Sequence, residues 1–227
     1  MAEHRHHFKV AGIPVRVEPI FFVISVLFGL QVAQDETGAV DGLVVLVWIG
    51  VTFVSILVHE LGHALTLKAF GQPSEITLQG LGGVTVSRRH LDRTKSVMVS
   101  LAGSVTALVL LWLPAQALDH SVWWNEQERW LRALVTFTAF ANLWWSVANL
   151  LPIRPLDGGN VVTELFGLRA ARRISLVVAA AAGLWAITND QPYAGFFALF
   201  LALGSYQEIK AEGGSAPPMP PDLFGRR

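Results

Sequence analysis

Long uncharged apolar runs alternate along the chain with short clusters of charge. The runs occupy residues 19–34, 42–58, 97–118, 133–153, 174–189 and 191–207, and the second continues past a few polar residues to about Leu67. A membrane-spanning helix needs roughly 17–25 mostly apolar residues, so the pattern predicts an all-α polytopic membrane protein with about six transmembrane helices, several near the short limit. Two segments have a different period. Residues 76–89, ITLQGLGGVTVSRR, alternate around a Gly-rich turn and predict a small membrane-associated β-hairpin between spans 2 and 3. Residues 8–19, FKVAGIPVRVEP, also alternate and predict a strand at the membrane surface.

Composition agrees with a membrane chain. The charged fraction is 15%, against roughly 25% in soluble proteins, and the mean hydropathy is +0.47. A soluble bundle with buried helices is disfavoured, because six apolar runs in 227 residues leave too little polar surface. A formal net charge of zero gives no electrostatic case for a nucleic-acid partner; the partner it implies is the lipid bilayer. There is no cysteine, so disulfides are excluded and any metal must be held by His, Asp or Glu. The charged segment before Pro19 and the lack of an A-x-A site after the first apolar run predict a retained membrane span, not a cleaved signal peptide.

Charge in the connecting segments orients the spans. Fifteen Lys and Arg fall before span 1, between spans 2 and 3, between spans 4 and 5, and after span 6, whereas the opposite side holds only Arg129 and Arg132. The positive-inside rule then puts both termini in the cytoplasm. The resulting division is a cytoplasmic N-terminal segment over 1–18, a transmembrane domain over 19–209 and a disordered, Pro- and Gly-rich cytoplasmic tail over 210–227. Trp123, Trp124 and Trp130 fall where an interfacial aromatic belt would lie, and Trp144, Trp145 and Trp185 read as packing or lipid-facing residues. HRHH at 4–7 reads as a solvated terminus.

The second run contains SILVHELGHALTL, residues 55–67, with two histidines and a glutamate where a lipid-facing helix would carry leucine. An ionisable residue at that depth costs at least ~2.5 kcal/mol on insertion scales, so three in consecutive turns call for a function. His59 and His63 are four apart and share one helix face, so they can hold one metal ion together. In H-E-x-x-H sites the intervening glutamate, here Glu60, takes a proton from the water that the metal acidifies. Gly62 leaves room for a close approach to the helix. A catalytic zinc usually has three protein ligands. After span 4 the chain reads NLLPIRPLDGGN, residues 149–160, in which two prolines end the helix, Asp157 follows, and Gly158–Gly159 permit tight backbone geometry. Asp157 is the leading candidate for the third ligand, although an Asp there can simply cap the next helix. Glu164 is the second candidate; His90 lies in the loop after span 2, and His120 lies on the opposite side of the membrane.

HELGH in one span, followed about 90 residues later by NLLPIRPLDGG at the end of another, resembles the site-2 protease family of intramembrane zinc metalloproteases, in a short form without a PDZ or CBS domain. SLAGSVTAL, residues 100–108, resembles that family's small-residue A-G-P-x-x-N segment, with Ser104 in place of proline and Ala107 in place of asparagine. The resemblance covers roughly residues 10–165. It implies that His59, His63 and Asp157 bind one Zn2+, that Glu60 is general base and acid, and that Asn149 steadies the oxyanion or positions the substrate. It also implies that the 76–89 hairpin lies beside the active site, where its edge can pair with an unwound substrate segment. The implied activity is hydrolysis of a peptide bond in or near the transmembrane segment of a single-span substrate, in a bacterial cytoplasmic membrane. A metal transporter and a catalytically silent relative that binds transmembrane segments are the alternatives. One compact site without further intramembrane stations disfavours the first, and the intact Glu60 disfavours the second.

Overall fold

A computed structural model describes residues 8–35, 37–80, 82–87, 91–119 and 128–213. His90, His120, Trp123, Trp124, the 4–7 segment and residues 214–227 lie outside the described residues. The protein is mostly helical, with a small four-stranded sheet. Its described residues fall into two compact units, one built from residues 8–87 and 102–146 and the other from 91–101 and 147–213.

The first unit opens with β1 (Phe8–Val10) and β2 (Ile13–Val17). The sequence predicts one strand here. The structure has two, because Ala11 and Gly12 both take positive φ (51° and 81°), which turns the chain in a two-residue hairpin. Glu18 and Pro19 then start α1 (Pro19–Val32), with the proline at the helix start, where its missing N–H costs nothing. The loop after α1 is held by Asp35 Oδ1, which accepts from Thr37 Oγ1 (2.6 Å), Thr37 N (2.8 Å) and Ala39 N (3.0 Å). The Thr37 hydroxyl, and then these backbone amides, hold the Asp35 carboxyl below the usual carboxylate range.

α2 (Gly42–Ala69) carries HELGH and is the longest element. Asp41 caps it by accepting from Leu43 N and Val44 N. It stops in a Schellman turn, with Gly71 at φ 72°, Gly71 N donating to Lys68 O and Gln72 N donating to Leu67 O. β3 (Ser74–Gln79) and β4 (Gly82–Ser87) form the expected hairpin. That hairpin belongs to a larger sheet of order β1-β2-β3-β4, in which β2 and β3 run parallel with Val15 opposite Ile76. Alternation sends Ile13, Val15, Ile76 and Leu78 to one face, where they pack with Phe21 of α1 and with Ile56 and Ala64 of α2. The sheet is thereby seated on the HELGH half of α2.

A single long helix follows: α3 (Arg93–Ala107), a π-helical segment (Leu108–Trp112) and α4 (Leu113–Asp119). Pro114 has no N–H for the carbonyl one turn before it, and the wider π turn absorbs that break. α5 (Arg129–Leu150) returns, and Asn142 Nδ2 donates to Ser55 Oγ of α2 at 2.9 Å.

The second unit contains α6 (Asp157–Phe166), α7 (Leu168–Thr188) and α8 (Pro192–Gly213). α6 begins at Asp157, with Leu156 as its N-cap residue. α7 and α8 form an antiparallel pair whose backbones approach at Gly183 and Gly195, with Leu199 and Ile187 packed over them. Arg172, 4% exposed, donates from Nε to Glu208 at 2.8 Å across this pair. α8 runs to Gly213, beyond residue 209.

Four helical stretches, 42–69, 93–119, 129–150 and 168–188, are long and apolar enough to cross a bilayer. α1, at 14 residues, is only about 21 Å long, and the last third of α8 is polar. Large apolar side chains face outward throughout, including Phe196 (77% exposed) and Phe200 (71%) on α8, as lipid solvation requires. The chain is a multi-pass membrane protein.

Gly62 and Gly50, both on α2, give a controlled test of packing. A Cβ at Gly62 would meet Ala102 O at 2.6 Å and Gly103 Cα at 2.9 Å, whereas one at Gly50 meets nothing within 4 Å. Gly62→Ala is expected to lower the melting temperature in detergent, by about 1–3 kcal/mol of overpacking. Gly50→Ala is expected to leave it equal or higher, because alanine is the better helix former by about 1 kcal/mol.

Candidate metal centre

The spacing of four puts His59 and His63 one turn apart on α2, and the structure points both rings the same way. Their Nε2 atoms are 3.1 Å apart, and the rings meet edge to face at a centroid distance of 4.8 Å. Both are buried, as is Glu60. One donor atom from each of the three residues falls within 4.8 Å of the others. The cluster lies toward the C-terminal end of α2: only six residues, about 9 Å of helix, separate His63 from Ala69.

α3 forms the floor of this cluster. Gly62 faces the backbone of Ala102 and Gly103 and the Thr106 hydroxyl, so the two helices come close together there. Gly103 lies directly beneath the imidazoles, and a Cβ there would sit 2.3 Å from His63 Nε2 and 2.8 Å from His59 Nε2. The missing Cβ leaves a small space into which both nitrogens point. Zinc fits that space. Two nitrogens 3.1 Å apart, each about 2.0–2.1 Å from a common ion, subtend about 100° at it, close to tetrahedral. The donors are imidazoles and carboxylate, as a chain without cysteine requires.

The sheet covers the other flank. Thr85 Oγ1 of β4 donates to Glu60 Oε2 at 2.6 Å, and it also lies 3.2 Å from the Glu60 carbonyl. Gly83, two residues before it on the same strand face, lies against the Glu60 side chain so closely that a Cβ would fall 2.4 Å from Cγ. Ser104, beside Gly103, is fully buried, and its carbonyl faces Ser146 Oγ of α5 at 3.5 Å. Sequence reasoning singles out the small-residue run 100–108 and the freedom at Gly62, and these two features meet. It misses Thr85 and Gly83 as neighbours of Glu60. The only signal available for them is the strand alternation, which puts positions 83 and 85 on one face.

Asp157 and Asn149 belong to the second unit. Asn149 is the penultimate residue of α5 and is half-buried. Asp157 is the first residue of α6, where a carboxylate complements the helix's free N–H groups. Glu164 lies seven residues further along α6. The segment before Asp157 is firmly built. Gly158 packs under the Leu150 and Leu151 carbonyls, and Gly159 packs against Ile153 and Arg154, each so tightly that a Cβ would clash. Ile153 is buried against Ala179, Leu201 and Ala202. Arg154 N donates to Ser175 Oγ at 2.9 Å, and its guanidinium reaches Thr163 Oγ1 at 3.2 Å.

The floor at Gly103 yields a test that changes no ligand. Gly103→Ala should abolish or strongly reduce zinc in the purified protein, as His63→Ala should. Ser100→Ala, three residues away on the same helix, should keep about one zinc per chain by elemental analysis.

The comparisons with known proteins agree with this geometry. The model of Peptidase family M50 matches residues 125–186. A zinc metalloprotease of Methanocaldococcus jannaschii is 25% identical over 181 residues, which are 78% of this chain and 49% of that protein. Stage IV sporulation protein FB of Bacillus subtilis is 29% identical over 211 residues, 86% of this chain and 66% of that protein. The chain thus spans about half the length of the first relative and two thirds of the second. The solved structure of the site-2 protease from M. jannaschii superimposes with a TM-score of 0.54 at 21% identity, covering 90% of this chain and 94% of that one, and shows a common fold. With HELGH on α2 and the small-residue floor of α3 beneath it, the chain is similar to zinc metalloproteases of peptidase family M50 and shares the fold of the site-2 protease.

Proposed function

We propose that the protein is an intramembrane zinc metalloprotease that hydrolyses a peptide bond in or near the transmembrane segment of a single-span membrane protein. The observation that carries this reading is the buried His59–Glu60–His63 cluster, with its two Nε2 atoms 3.1 Å apart above the Cβ-free floor at Gly103. A cluster of this kind inside an apolar helix is costly unless it binds something, and a carboxylate beside two metal-ready imidazoles has the composition of a hydrolytic site.

His59 and His63 would hold the zinc, and Asp157 at the start of α6 is proposed as the third protein ligand. Bound there, the ion supplies a Lewis acid that acidifies a water and polarises the scissile carbonyl. Glu60 takes the proton of the attacking water and passes it to the leaving amine. The Asn149 side-chain amide donates to the oxygen on which negative charge develops. β4 is the edge of the sheet among the described residues, pairing on one side with β3, and its inner face touches Glu60. A substrate segment unwound from helix to strand would gain main-chain partners on that edge, beside the group that cuts it.

The proposed topology has six spans with both termini in the cytoplasm, α1 and α8 being the two short or partly polar ones. The charge asymmetry supports it. In that frame the C-terminal end of α2 is cytoplasmic, the metal site lies toward that side, and the membrane is a bacterial cytoplasmic one. Cleavage would then release a cytoplasmic fragment, as regulated intramembrane proteolysis requires.

Reconstitution with a panel of single-span substrates tests the reading. Wild-type protein is expected to cleave, and Glu60→Gln is expected to retain zinc while losing at least about 1,000-fold in kcat, since general base catalysis and water orientation are lost together. Retained cleavage in Glu60→Gln, or zinc flux in place of any cleavage, would contradict it. Asp157→Ala should weaken zinc retention, whereas Asn149→Ala should keep zinc and lower kcat by about 100-fold.

A further inference from the structure

β4 does more than offer an edge. Its residue Thr85 donates from Oγ1 to Glu60 Oε2 at 2.6 Å. Gly83, on the same strand face, packs against Glu60 Cγ and Cδ, where any side chain would intrude. The carboxylate is therefore gripped at two points by one strand: a hydrogen bond at its tip and a backbone wall along its stem. α2 alone cannot do this, because a glutamate on a helix has several open rotamers and Glu60 is buried where water cannot hold it.

We infer that Thr85 is a positioning residue that fixes the Glu60 carboxylate in its working orientation, so that β4 links substrate engagement to proton transfer. The inference rests on the protease reading given above. With Oε2 committed to Thr85, Oε1 is the oxygen left to take the proton of the reacting water. The Thr85 hydroxyl has a second acceptor in the Glu60 carbonyl at 3.2 Å. When Oε1 has taken the water's proton, Oε2 is still an acceptor and the Thr85 hydroxyl still donates to it, so the side chain is held in both states. Because β4 is also the strand a substrate would extend, distortion of that strand would move Thr85 and with it the base.

The test uses full-length protein in proteoliposomes with a panel of single-span peptides carrying Asn-Pro or Gly-Pro steps in the apolar segment. Thr85→Val keeps shape and removes the hydroxyl. It is expected to lower kcat about 10- to 100-fold, the range for losing one hydrogen bond to a charged group, with KM within about 2-fold and zinc content unchanged. Thr85→Ser should recover most of the loss. A second readout needs neither metal nor activity: thermal unfolding of zinc-free wild type, Thr85→Val, Glu60→Ala and the double variant. Coupling predicts that the double variant melts no lower than the worse single variant. Wild-type kcat in Thr85→Val, no recovery by serine, or additive melting shifts would overturn the inference. A wild type that cuts no peptide in the panel would overturn the protease reading itself and the role of Thr85 with it.

Discussion

α2 and α3 come together where Gly62 faces the backbone of Ala102 and Gly103 and where Gly103 lies against the two imidazoles, and the rest of the site depends on that contact. One methyl group at Gly103 would occupy the space into which both imidazoles point. One at Gly62 would push the helices apart. Burying three ionisable side chains inside an apolar helix is unfavourable on its own. A cation held by the two imidazoles would offset that cost, and the missing side chain at Gly103 keeps their Nε2 atoms clear.

The sheet plays the complementary part from the other flank. Ile13, Val15, Ile76 and Leu78 seat it on α1 and α2, and that packing delivers β4 to Glu60. Lys68 Nζ, near the end of α2, donates to Ala11 O in the first hairpin turn and ties the sheet to the same helix. Helix, floor and strand thus converge on four residues of one turn. In the second unit, the loop before Asp157 is fixed by glycine contacts, by Ser175 and by the Arg154 guanidinium, while Arg172 and Glu208 brace the helix pair beside it. A segment proposed to carry a metal ligand is thereby rigid before any metal binds.

Much of this was legible in the sequence because it rests on spacing. Two histidines four apart share a helix face whatever the tertiary structure, and alternation around GLGG encodes a hairpin. Gly62 signalled a close approach, and the small residues at 100–108 turned out to supply it. Other features depend on contacts that local pattern does not encode. Two strands stand where one was expected because Ala11 takes a positive φ that alanine rarely adopts. The helix after Asp157 was open to a capping reading, but the close packing of Gly158 and Gly159 under carbonyls was not. Among the described residues, only four helical stretches meet the length and polarity of a span, since α1 stops at Val32 and α8 turns polar after Leu203. The grip of Thr85 on Glu60 joins residues 25 apart in sequence and is visible only in three dimensions.

Zinc K-edge X-ray absorption on the purified, zinc-loaded protein probes the central claim most directly. The expected spectrum is that of one tightly bound zinc per chain, four-coordinate, with two imidazoles and light-atom ligands at about 2.0–2.1 Å and no sulfur; His63→Ala should remove one imidazole from the spectrum or the metal altogether. A protein that binds no zinc, or a zinc with an all-oxygen, six-coordinate shell unchanged in His59→Ala and His63→Ala, would contradict it.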